Sequence, residues 1–68
     1  MGSLVRKVAK YLVDHWNQLN SGVQWAIKQI AGSALVQAIE AGVEATVNYL
    51  SQFGSWAINK IANILGIS

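Results

Sequence analysis

The sequence predicts an all-α fold, a compact bundle of four or five short amphipathic helices around a central apolar helix. Three observations predict it. Apolar residues recur every three or four positions, the spacing of one helical face. There is no proline to interrupt a helix, and no stretch alternates as a half-buried strand does. Glycines gather with Ser and Asn near 20–22, 32–33, 54–55 and 66, where one helix can stop and the next begin. At 68 residues the chain makes a single domain, 1–68, with a core small enough to need efficient helix packing.

The first helix is expected over about 3–19, with Val5, Val8, Leu12, Trp16 and Leu19 on its apolar face. Arg6, Lys7, Lys10, Asp14 and Asn17 fall on the opposite face, and Trp16, centred on the apolar stripe, is expected in the core. The second, about 22–31, buries Val23, Ala26, Ile27 and Ile30 and points Trp25 away with Lys28 and Gln29. The third, about 34–52, is the longest and most apolar. Leu35, Ile39, Val43, Thr46, Val47 and Leu50 fill one broad arc, beside a ridge of Ala34, Ala38, Gly42 and Ala45. A helix apolar over most of its circumference is normally the buried centre of a bundle. The fourth, about 55–65, buries Ile58, Ile61, Ala62 and Leu65 and turns Trp56, Asn59, Lys60 and Asn63 outward. Gly66 followed by Ile67 predicts a helix stop with an apolar contact folded back, and Ser21, Ser33 and Ser55 are the expected N-caps.

Composition narrows the function classes. Apolar residues make up 53% of the chain and charged residues 12%, about half the usual charged share, which excludes charge-driven disorder. Cysteine is absent and His15 is the only histidine, so no structural disulfide or metal site is expected. Net charge is +2, with Arg6, Lys7, Lys10 and Lys28 in the first half and only Lys60 in the second, too weak for a nucleic-acid partner. No run of about 20 apolar residues could span a bilayer. The start has no apolar h-region, so a secreted protein would leave without a standard leader, or after losing one. Catalysis has little to stand on. His15 is alone, the serines sit at helix ends, and Glu40 and Glu44, one turn apart, have no base or ligand beside them. An enzyme, a cofactor and a metal are therefore not expected.

The informative residues are the tryptophans. Trp25 and Trp56 fall opposite the apolar stripes of their helices, each one turn before a lysine, Lys28 and Lys60. An outward ring beside an amine suits a membrane–water interface, where the ring lies at headgroup depth and the amine meets phosphate. Arg6, Lys7 and Lys10 extend the basic character. The expected membrane-binding set is thus Arg6, Lys7, Lys10, Lys28, Lys60, Trp25 and Trp56.

Three segments carry a family resemblance: Ala9-Lys10-Tyr11, Val23-Gln24-Trp25-Ala26, and Lys60 followed by Ile64-Leu65-Gly66-Ile67. In this order they resemble segments of the leaderless bacteriocins of the lacticin Q and aureocin type. The resemblance leaves most of residues 32–53 unmatched. It implies a small cysteine-free helical protein with a saposin-like fold, secreted without a leader. It further implies killing of Gram-positive bacteria by membrane disruption, with no obligatory protein receptor. A circular bacteriocin, also a compact helical bundle of this size, is a related reading.

The expected function is therefore that of a secreted antibacterial peptide acting at the target-cell membrane. It would bind anionic bacterial lipid, open, and permeabilise the bilayer, alone or as an oligomer on the membrane. The alternative from a different class is a non-lytic interaction module that self-associates or binds a protein through its exposed Trp patch.

Overall fold

The computed structural model describes residues 2–67 and contains, among them, five α-helices and no strand. They are α1 (Gly2–His15), α2 (Ser21–Ala31), α3 (Leu35–Ala41), α4 (Val43–Leu50) and α5 (Ser55–Leu65). The chain is an all-α bundle in which every helix turns an apolar stripe toward one shared core. None of the helices among the described residues is long and apolar enough to cross a membrane.

Helix α1 supplies the middle of that core. Val5, Val8, Ala9, Leu12 and Trp16 are buried at the spacing expected of one helical face. α1 packs against α3, α4 and α5, whereas α2 leans chiefly on α5. This corrects the expectation that the third segment would be the centre. The α-helical hydrogen bonding stops at His15, and Trp16–Gln18 continue as one tighter 3-10 turn. The Gln24 side-chain amide donates to the Trp16 carbonyl at 2.7 Å, a second bond to an oxygen that already accepts the Leu19 N–H at 3.2 Å, and so ties α2 to this turn.

The expected third helix is two helices. Gly42 adopts φ 116° and ψ −179°, outside the helical region and open in practice only to glycine. Its N–H is shared between the carbonyls of Ala38 (3.2 Å) and Ile39 (3.1 Å), which ends α3. Its own carbonyl accepts from the Thr46 N–H at 3.0 Å, which begins α4. The fully buried Thr46 hydroxyl shares its proton between the Ala38 and Gly42 carbonyls, at 3.0 and 2.8 Å, and so ties the two helices across the break. Leu35, Ile39, Thr46 and Leu50 remain buried on both sides of it, while Val43 and Val47 are only partly covered.

The caps differ from the serine pattern. Asn20 caps α2, its side-chain oxygen accepting from the Val23 N–H at 2.9 Å, and Ser21 is already the first helical residue. Ala34 precedes α3 and Gly54 precedes α5, neither with a side-chain cap, so Ser33 and Ser55 cap nothing. At the far end, Gly66 is left-handed (φ 79°, ψ 26°). Its N–H bonds to the Asn63 carbonyl and the Ile67 N–H to that of Ala62, the paired bonds of a Schellman motif. Ile67 folds back against the core, the apolar contact that often accompanies this motif.

Candidate membrane-binding face

The two outward tryptophans lie where helical phase places them. Trp25 is 63% and Trp56 66% exposed, the two exposed large hydrophobic side chains among the described residues. Trp16, by contrast, is in the core. On α2 the inward residues are Ile27 and Ala31, and on α5 they are Ala57, Ile58, Ile61 and Ala62. Each outward ring is therefore held by a helix whose opposite side is anchored. The Trp56 ring also folds back over the start of α5, where a side chain at Gly54 would meet its Cδ1 at 3.2 Å. Beside it lies an open groove of about 550 Å³ lined by Trp56, Asn59, Lys60, Asn63 and Ile64. Lys60 is exposed and Lys28 half-buried.

The cations of α1 are placed differently. Arg6 Nη1 donates to Glu44 Oε2 of α4 at 2.9 Å, joining positions 38 residues apart. That hydrogen bond, and then the charge of Arg6, holds the Glu44 carboxyl below its ordinary range and raises Arg6 in turn. Lys10 Nζ meets Asp14 Oδ2 at 3.2 Å one turn along α1. Lys7 is not free either. Both ion pairs are exposed, so they add little to stability, but they spend part of the positive field expected of this face. Lys28 and Lys60 have no ion-pair partner among the described residues.

The remaining polar side chains are placed apart or paired locally. The break at Gly42 puts Glu40 on α3 and Glu44 on α4, so the two carboxylates do not share one helical face. His15 packs its ring on Tyr11 (centroids 4.6 Å apart), and its Nδ1 lies 3.3 Å from Gln18 Oε1. Among the described residues no group of His, Cys, Asp or Glu could hold a metal ion. A second shallow groove, lined by Lys7, Lys10, Tyr11, Asp14, His15 and Ile67, is crossed by the Lys10–Asp14 pair.

No protein-family model matches this chain, and neither a curated protein nor a solved structure matches it.

Proposed function

We propose that this protein is an antibacterial peptide of the leaderless-bacteriocin kind, secreted to act on the anionic membrane of a target bacterium. One observation carries the reading: two tryptophans stand more than 60% exposed on a small, well-packed bundle with few surface charges. Rings held outward by anchored helices, each with a lysine one turn on, match the chemistry of the headgroup region. The carboxylate partners of Arg6 and Lys10 reduce what α1 can add by long-range attraction, so the rings carry more of the binding.

Docking would be followed by opening. The buried faces of α1, α3 and α4, including Val8, Leu12, Leu35 and Leu50, would exchange protein neighbours for acyl chains. That exchange is within reach because the whole stability of a domain this size is only several kcal/mol (about 0.05–0.15 kcal/mol per residue). A saposin-like arrangement of the helices and permeabilisation without a receptor belong to the same reading.

Dye release from vesicles of phosphatidylglycerol and phosphatidylcholine, together with dye entry into living Gram-positive cells, tests it. Micromolar protein should release the vesicle contents and stain the cells. Intact vesicles and unstained cells would sink the proposal. A stable homo-oligomer that buries both rings and ignores vesicles would put the non-lytic interaction module in its place.

A further inference from the structure

The fold sorts the charges in a way that chain order hides. All three carboxylates, Asp14, Glu40 and Glu44, stand on α1, α3 and α4, together with Arg6, Lys7 and Lys10. Three cations and three carboxylates leave that group of helices formally neutral. α2 and α5 contain no Asp or Glu, and each has one lysine. The entire formal charge of +2 therefore resides on α2 and α5, the helices that carry the exposed tryptophans and that pack against each other.

We infer that the α2–α5 side, with Trp25, Lys28, Trp56 and Lys60, is the surface that seats on an anionic phospholipid bilayer, and that the basic face of α1 is turned away from it. The inference rests on the membrane reading above and specifies its orientation. Charge complementarity selects the occupant. An unpaired ammonium meets a phosphodiester without first breaking an ion pair, whereas Arg6 and Lys10 would have to leave Glu44 and Asp14. The polar remainder of the α5 face, Asn59 and Asn63, is uncharged and can donate to phosphate or ester oxygens without repelling them. An anionic surface approaching α1 would instead meet Asp14 and, across the Arg6 pair, Glu44.

Two double variants separate location from amount of charge. Lys28→Gln/Lys60→Gln and Arg6→Gln/Lys10→Gln each remove two cations, so both have a formal net charge of zero. All four side chains are exposed or half-exposed, and far-UV circular dichroism checks that both variants keep the fold. The readout is partitioning onto phosphatidylcholine vesicles with and without 30% phosphatidylglycerol, at about 0.1 M salt. Loss of Lys28 and Lys60 should weaken binding to the anionic vesicles about 30-fold and abolish the preference for them. Loss of Arg6 and Lys10 should change it less than about threefold. Equal losses, or a larger loss from the α1 variant, would overturn the orientation while leaving membrane activity standing. A wild-type chain that binds neither vesicle, or that dimerises through its tryptophans instead, would overturn the orientation together with the membrane reading. Brominated lipids add an independent check, since Trp25 and Trp56 should be quenched on docking.

Discussion

Gly42 can be tested by chirality. Its φ of 116° with an extended ψ is a conformation that an L residue adopts only under strain, at a cost of about 1–3 kcal/mol. The mirror-image residue is at home there, because inverting both angles gives ordinary extended backbone. A Cβ built at Gly42 in the L position meets nothing within 4 Å, so the cost of L-Ala is backbone energy and not a clash. Either alanine restricts the unfolded chain more than glycine does, by about 0.4–1 kcal/mol, so that contribution cancels between the two. The two variants should therefore differ by roughly 1–3 kcal/mol. At about 4–8 °C per kcal/mol for a domain this small, their melting temperatures should stand at least about 4 °C apart, with D-Ala the higher. The chain is short enough for chemical synthesis, and thermal unfolding followed at 222 nm reads the result. Gly66 offers a calibration: its Cβ position is equally open, but its left-handed helical conformation costs an L residue only about 1–2 kcal/mol. If L-Ala and D-Ala at position 42 melt together, the break between α3 and α4 is not held as described.

Four further outcomes follow from single contacts. Asn20→Ala should lose about 1 kcal/mol in denaturant unfolding, because the Val23 N–H loses its cap, while Ser21→Ala should change little; the reverse order would restore serine as the cap. Tyr49→Phe should cost about 1 kcal/mol, since its hydroxyl is the partner of the buried Ala31 carbonyl at the end of α2. Thr46→Val should cost less than that in the same assay, because Ala38 O and Gly42 O keep backbone donors when the hydroxyl goes. Glu44, whose folded pKa is held down by Arg6, contributes stability above the ordinary glutamate value of about 4.3, lost as pH falls through its folded value. The melting temperature should therefore dip slightly on that acid side, and the dip should shrink in Glu44→Gln and in high salt; an unchanged dip would mean that the pair contributes nothing.

The sequence conveyed some of this plainly and some not at all. α1 and α5 were legible because their apolar residues keep one phase from end to end and a glycine closes α5. The same phase argument placed Trp16 inward and Trp25 and Trp56 outward. It failed at Gly42 for a physical reason: Leu35, Ile39, Val43, Val47 and Leu50 keep helical spacing through the break, so periodicity contains no trace of it. Only the glycine marks the place, and glycine is also tolerated inside helices. The serine caps failed because Asn20 stands one residue before Ser21, and because the starts of α3 and α5 satisfy their geometry without a side chain. The Arg6–Glu44 pair joins residues 38 apart, and the gathering of net charge on α2 and α5 depends on which helices pack together. Neither is encoded in local spacing.

The brevity of the helices limits what any hole in a bilayer could be made of. The longest, α1, has 14 residues, about 21 Å at 1.5 Å per residue. Even if α3 and α4 straightened into one rod over residues 35–50, it would reach only about 24 Å. The hydrocarbon layer of a bilayer is about 30 Å deep. On the membrane reading, no single helix could line a conducting path from one face of the bilayer to the other, and lipid headgroups bending inward would complete it. The width of such a path would then follow from lipid curvature and the number of molecules crowded at the spot, not from a fixed stoichiometry.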